Sequence, residues 1–227
     1  MKIIKTKNYN QLSKVATEFI ISEINKKPNM SIAFATGKTP KGLYKRLVKA
    51  NKKKLVDFSK TKAFNLDEYY PIKSTNKKSF SYYLNKNLFN KINIKKSNIT
   101  LLNGFIHNLD DECKNYEKKI KKEKIDIMIL GVGVNGHIAF NEPGSKPSSK
   151  TRLVNLSKQT IKQNKLKNIN QALTIGIKTI LSSKKIILLA SGKSKANAIQ
   201  HLIKGKQNKK WPVSYLKKHK DLIVVVH

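Results

Sequence analysis

At 227 residues the chain can bury the core of one large α/β domain, and its lone cysteine, Cys113, excludes an intramolecular disulfide and suits a reducing compartment. No apolar run approaches the roughly 18 residues of a membrane-spanning helix and no charge-flanked apolar segment opens the chain, so a cytoplasmic protein away from the membrane is expected. The net charge of +35 would suit a polyanion, yet only Arg46 and Arg152 among the 48 basic residues are arginine and the lysines are spread along the chain; no specific nucleic-acid partner is expected, whereas a small anionic substrate would be drawn to such a field.

In chain order the pattern alternates strand and helix. Ile3-Ile4 opens a short strand, and Tyr9 to Asn25 carries apolar residues at helical spacing. Ser31 to Ala35 is a strand, followed by a turn and a helix through Val48. Lys62 to Leu66 is a strand, Ser79 to Phe89 an aromatic helix, Ile99 to Leu102 a short strand. Asp110 to Glu123 is a charged helix, with Cys113 as a packed small residue near its start. Ile125 to Leu130 and Thr151 to Leu156 are strands. Lys158 to Gln171 has few large apolar residues and no period, which reads as a mobile loop. Ala172 to Leu181 is a short strand and a helical turn, Lys185 to Ala190 a strand, Lys193 to Lys204 a helix, and Leu222 to Val226 a last strand. The alternation implies a single domain: three layers, α/β/α, around a mostly parallel, Rossmann-like sheet.

Four constellations carry chemistry. Ala35-Thr36-Gly37-Lys38-Thr39-Pro40 joins a strand to a helix: Gly37 permits the turn, Thr39 suits an N-cap and Pro40 the first helical position. Free N–H groups and the helix dipole would favour a phosphate there, although a plain capped helix start reads equally well, and the spacing is not that of a P-loop. Phe64-Asn65-Leu66-Asp67-Glu68 places two carboxylates past a strand end; on an extended segment they point opposite ways, so one can serve as a general base while the other is structural, although most such Asp-Glu pairs are simply solvated loop residues. Leu130-Gly131-Val132-Gly133-Val134-Asn135-Gly136-His137-Ile138-Ala139-Phe140-Asn141-Glu142-Pro143-Gly144 follows an apolar strand and delivers His137 and Glu142 as a coupled pair at a strand end, where open α/β sheets bind ligands. No further His or Cys stands at metal-ligand spacing, so no metal is expected. Ala190-Ser191-Gly192-Lys193-Ser194-Lys195 again turns a strand into a helix and offers Lys195 to a second anionic group, or is simply another helix start.

Taken together, ATGKTPKGLY, FNLDEYY, SFSYYLNKNLF, LGVGVNGHIAFNEPGS, Thr151-Arg152, ALTIGIKTIL, SGKSKANAI and WPVSYLKKH resemble the glucosamine-6-phosphate deaminase family over nearly the whole chain. The sibling 6-phosphogluconolactonases share the Gly-His but lack an AFNEPG-like continuation. The resemblance implies the fold these two families share. It also implies a cofactor-free aldose–ketose isomerisation, in which glucosamine 6-phosphate and water give fructose 6-phosphate and ammonium. Asp67 would be the base that moves a proton between C2 and C1 through an enolamine. His137 would help open the sugar ring, with Glu142 as its carboxylate partner. Gly37, Lys38, Thr39 and Lys195 would bind the phosphate.

Departures from the family pattern sharpen these expectations. Asn135 stands where some members have Asp. The lid, near 158–171, is shortened, and its phosphate-binding arginine aligns near Leu166, so Lys165 or Lys167 would substitute. Ser145 and Arg152 match the family's allosteric phosphate site, but Val154 replaces its lysine. The chain also ends at His227, directly after the last strand. A non-allosteric monomer or small homo-oligomer is expected. The alternatives are a lactonase or another sugar-phosphate isomerase, or a catalytically weakened protein that binds sugar phosphates or polyanions.

Overall fold

The computed structural model describes residues 1–227, the side chain of Gln163 excepted. Its strands are β1 (Lys2–Lys5), β2 (Ser31–Phe34), β3 (Lys62–Asn65), β4 (Asp67–Tyr70), β5 (Ile99–Thr100), β6 (Ile127–Gly131), β7 (Arg152–Asn155), β8 (Gln171–Thr174), β9 (Lys185–Ala190) and β10 (Leu222–Val226). The α-helices are α1 (Tyr9–Lys26), α2 (Lys41–Lys52), α3 (Phe80–Asn87), α4 (Leu109–Glu123), α5 (Lys158–Gln163), α6 (Ile177–Leu181) and α7 (Ala196–Ile203).

Seven strands form one sheet in the order β1-β10-β9-β6-β2-β3-β5, and every pairing in it is parallel. Its central strands are unbroken apolar or small runs: Ser-Ile-Ala-Phe in β2 is buried throughout, and so are the first four residues of β6. Such runs need cover on both faces. One part of that cover is α1, which turns Leu12, Ala16, Ile20 and Ile24 inward at helical spacing and is capped by Asn8, whose side chain accepts from Gln11 N. Cys113 sits on the buried face of α4, as expected of a packed small residue. The chain steps from β2 to β3 on one side and later returns to β6 on the other. The sheet therefore reverses direction between β2 and β6, and a crevice opens at their carboxyl ends.

The mostly parallel three-layer reading holds for this sheet, but three expectations needed correction. First, residues 151–156 and 171–174 do not join it: β7 and β8 build a separate three-stranded antiparallel sheet with β4. β4, Asp-Glu-Tyr-Tyr, has no alternation to reveal it; two buried carboxylates replace the apolar side chains a core strand normally shows. Second, residues 158–163 form a helix rather than a loop, because Ser157 caps it by accepting from Thr160 N at 3.1 Å. Ile161, Leu166 and Ile169 then pack on a small cluster containing Tyr69, Ile72, Phe140 and Leu156. Third, Thr39 does not cap α2: Pro40 occupies the N-cap position without a side-chain hydrogen bond.

Candidate active site

A cleft of about 260 Å³ lies at the carboxyl ends of β2, β3 and β6 and is walled by residues 35–39, Leu66, Asp67, Gly131–Gly133, His137, Ala139 and Lys195. Tyr69, Phe80 and Phe140 give it an apolar side, with Tyr69 and Phe80 ring centroids 4.5 Å apart. A larger groove, about 970 Å³ between α4 and α6, contains none of the strand-end residues.

Asp67 is placed by the junction between the two sheets. Asn65, fully buried at the end of β3, donates through Nδ2 to Asp67 O (2.8 Å) and accepts through Oδ1 from Leu102 N (2.9 Å). Tyr116 Oη donates towards Asn65 O (2.8 Å) and Asn65 Oδ1 (2.9 Å), and Ile175 N donates to Leu66 O. The Asp67 side chain enters the cleft wall only 6% exposed, and Oδ1 meets no hydrogen-bond donor among the described residues. Burial, reinforced by the neighbouring Glu68 charge, raises its pKa to about 8.

Glu68 points the other way. Oε1 accepts from Tyr69 N (3.0 Å) and Phe80 N (2.8 Å), and Oε2 from Ser79 Oγ (2.8 Å) and Ser81 N (2.8 Å). It therefore satisfies the open donors of the first turn of α3, where a carboxylate also meets the positive end of the helix dipole. The division into one cleft-facing and one structural carboxylate is the one the sequence suggested.

His137 is set by a tight loop after β6. Gly133 N donates to His137 O (2.9 Å), and Gly136 N donates to Gly133 O (3.1 Å) at a positive φ of 78°. The imidazole lies directly over Gly133, so that a Cβ there would fall 2.3 Å from the ring. Ala139 also takes a positive φ, 49°, a strained conformation for an L-residue. Asn141 pins it, donating through Nδ2 to Ile138 O (2.9 Å) and Ile175 O (2.8 Å).

Behind His137, away from the cleft, Glu142 Oε2 stands 3.5 Å from Nδ1, a distance for an ion pair with the protonated ring but without hydrogen-bond alignment. Glu142 Oε2 also accepts from Asn135 Nδ2 (2.7 Å), and Oε1 accepts from Thr160 Oγ1 (2.7 Å) and Ser157 Oγ (3.3 Å). Burial works to raise the Glu142 pKa, but His137, Thr160 and Asn135 together outweigh it and hold it at about 2. Asn135 is thus a donor to the carboxylate that backs the histidine.

Of the residues expected to bind phosphate, Gly37, Lys38, Thr39 and Lys195 do line one cleft. Gly37 turns the chain at φ 96°, and Lys195 is half-buried, which lowers its pKa. Lys165 does not reach this cleft: it is exposed beyond α5, and its carbonyl accepts from Lys78 Nζ (2.7 Å), while Asn164 and Thr160 line the wall instead. Sequence reasoning missed Ser157 and Thr160, whose one signal was a Ser-x-x-Thr helix start. Arg152 and Ser145 do meet, Nη2 to Oγ at 3.5 Å, and Arg152 Nη1 donates to Asn141 Oδ1 (3.0 Å). Among the described residues no group of His, Cys, Asp and Glu could hold a metal ion, and no helix is long and apolar enough to cross a membrane.

This arrangement can remove a proton from carbon with a desolvated carboxylate, relay protons through an imidazole, and hold an anion at a strand-to-helix turn. The family model for glucosamine-6-phosphate isomerases and 6-phosphogluconolactonases matches residues 5–224. Proteins named glucosamine-6-phosphate deaminase from Clostridium botulinum (strain Hall) and Clostridium novyi (strain NT) are each 46% identical over 233 aligned positions, covering 100% of this chain and 96% and 97% of theirs. A solved structure of a monomeric glucosamine-6-phosphate deaminase superposes with a TM-score of 0.96 at 38% identity, covering 100% of this chain and 97% of that one. The 6-phosphogluconolactonase of Thermotoga maritima shares the fold, with a TM-score of 0.81 at 20% identity over 99% of this chain and 98% of its own.

Proposed function

The chain belongs to the family of glucosamine-6-phosphate isomerases and 6-phosphogluconolactonases, and within it we propose that this protein converts glucosamine 6-phosphate and water to fructose 6-phosphate and ammonium. The observation that carries the proposal is the buried Asp67 carboxylate, with one oxygen bare of donors, in the same cleft as His137 and the 37–39 turn. A carbon acid demands a base stronger than an ordinary carboxylate, and burial with a pKa near 8 supplies one. The relatives named as deaminases support the same reading.

In the proposed sequence His137 takes the proton from the C1 hydroxyl and returns it to the ring oxygen, opening the sugar. Glu142, 3.5 Å from Nδ1, holds the ring's orientation. Asp67 removes the C2 proton while the C1 carbonyl oxygen takes one from the substrate's ammonium group, giving the enolamine, and then delivers its proton to C1, leaving a protonated imine at C2. Water adds to that imine, and ammonium departs. Gly37, Lys38, Thr39 and Lys195 hold the phosphate, whose binding keeps C1 and C2 against Asp67. Residues 158–171 act as the lid, with Thr160 and Asn164 on its inner side. The protein works as a monomer, without a cofactor, in the cytoplasm.

Coupled measurement of ammonia and fructose 6-phosphate release from glucosamine 6-phosphate tests the activity, with N-acetylglucosamine 6-phosphate added to test for allostery. Absence of turnover, or undiminished turnover by Asp67→Asn, would overturn it. Sedimentation at micromolar concentration should give one species near the chain mass of 25.8 kDa.

A further inference from the structure

We infer that Tyr9, Tyr44 and Tyr83 are positioning residues for the substrate phosphate: their hydroxyls bind the carbonyls of the 35–39 turn and so keep its N–H groups aimed into the cleft. The inference rests on the reading of that turn as an anion site.

Each tyrosine comes from a different helix. Tyr44, fully buried on α2, donates through Oη to Ala35 O. Tyr83, on α3, donates to Gly37 O at 2.5 Å. Tyr9, the first residue of α1, accepts from Gly42 N (2.8 Å) and shares its one proton between Lys38 O (3.2 Å) and Thr39 O (3.1 Å). Within a trans peptide unit the C=O and the following N–H point in opposite directions. Holding the carbonyls of Ala35, Gly37 and Lys38 against tyrosines therefore turns the N–H groups of Thr36, Lys38 and Thr39 the other way. Residues 35–39 form one wall of the cleft.

A second observation points to the same ligand. Among the described residues, no hydrogen bond is made by the backbone N–H of Thr36, Gly37, Lys38 or Thr39. A run of backbone donors left free of protein partners beside a cleft matches the geometry that receives an oxyanion. Left alone, a glycine-containing turn could flip a peptide and lose that array. The tyrosines remove the freedom by fixing the carbonyl side. Glu68 extends the device: it ties down the first turn of α3, and Tyr83 lies one turn further along that helix. The same Asp67-Glu68 pair thus serves the base and, through Tyr83, the phosphate turn.

Calorimetric titration of the full chain with inorganic phosphate tests this directly. Tyr9→Phe and Tyr83→Phe, at the two partly exposed positions, should each weaken phosphate binding by about tenfold, the factor for one lost hydrogen bond. KM for glucosamine 6-phosphate should rise similarly, with most of the effect in KM rather than kcat. The melting temperature reports whether either variant is merely loosened. Phosphate binding within twofold of wild type in both variants overturns the inference, as does no phosphate binding by the wild-type chain, or a loss shared equally by kcat and melting temperature. Weakened phosphate binding in the variants, beside a wild type that releases no ammonia, would leave this inference standing and remove the deaminase reading.

Discussion

Thr160 Oγ1 donates to Glu142 Oε1 across 2.7 Å, so the first turn of α5 is tied to the carboxylate that stands behind His137. Ser157, the N-cap of the same helix, reaches the same oxygen at 3.3 Å. A segment with few apolar residues is thereby ordered through a polar contact. The contact ties α5 to the proton chemistry: Thr160 and Ser157 supply the donors of Glu142 Oε1, so the place of the carboxylate behind His137 depends on the seat of this helix.

Thr160→Val keeps the shape and removes the donor. The mostly buried Glu142 Oε1 is left with the longer Ser157 contact alone, which should cost about 1–3 kcal/mol of stability at neutral pH. A carboxylate whose folded pKa is depressed stabilises the fold above its unfolded pKa and loses that contribution as pH falls through the folded one. Glu142 sits at about 2 in the native state. The stability gap between wild type and variant should therefore be full at pH 7 and close between about pH 4 and pH 2. Urea unfolding at pH 7 and pH 3 checks this; a gap that widens in acid contradicts the account. Turnover should fall as well, because His137 loses its oriented partner.

Asp67→Asn should abolish turnover while phosphate binding persists. In the wild type the base works deprotonated, and its pKa is about 8, so kcat/KM should rise with pH and level off above about 8. The stability effect has the opposite sign to that of Glu142. A buried carboxylate with a raised pKa favours the folded state when protonated, a contribution complete below the unfolded pKa and lost as pH climbs through 8. The Asn variant has no such loss. It should melt higher than wild type at pH 9 and nearly level with it at pH 4, as calorimetry would show; equal melting temperatures at pH 9 would mean that Asp67 is not desolvated in solution.

Glu68→Gln replaces an acceptor of four hydrogen bonds by a group with one oxygen and two amide protons. Whichever way the amide is turned, a donor faces backbone N–H groups. The expected cost is about 2–3 kcal/mol, the scale for hydrogen bonds to a charged group. The damage should be local to α3, so hydrogen exchange at Ser81 to Leu84 should speed up more than at β2 or β6. Uniform acceleration would mean that Glu68 supports the whole fold.

What the sequence reveals follows from how local each cause is. β2, β6 and β9 are legible because continuous apolar runs bounded by glycine turns have few other solutions. Asp67 and His137 are legible because a strand end in an open α/β sheet is where ligands bind. β4 is hidden because it exists through pairing with β8, some hundred residues away, Asp67 opposite Thr174. Thr160 escapes notice because its partner, Glu142, is 18 residues earlier and belongs to a different loop. Lys165 drew attention for its charge, yet side-chain direction at the end of α5 places Asn164 on the cleft wall instead. Nothing in the spacing of Tyr9, Tyr44 and Tyr83 marks them out, because the carbonyls they meet lie in a turn outside their own helices.

Gly133→Ala isolates the seat of the histidine. An added Cβ would lie 2.3 Å from Cε1 and Nδ1 of His137 and 2.5 Å from Nε2, well inside contact distance for the whole ring edge. The backbone of Gly133 is anchored, since its N–H donates to His137 O and its carbonyl accepts from Gly136 N, so the ring must move instead. Rotating it away separates Nδ1 from Glu142 and takes Nε2 out of line with the sugar. Misplacement by about 1 Å is enough to lower a rate on the order of 100-fold. The surroundings of the ring's exposed edge are a cleft rather than a packed core, so the displaced imidazole has somewhere to go and the melting temperature should change little. Turnover lowered on the order of 100-fold, with unchanged phosphate affinity and a near-native melt, is the expected pattern, and a kcat within twofold of wild type would show that the position of His137 over Gly133 does not govern the reaction.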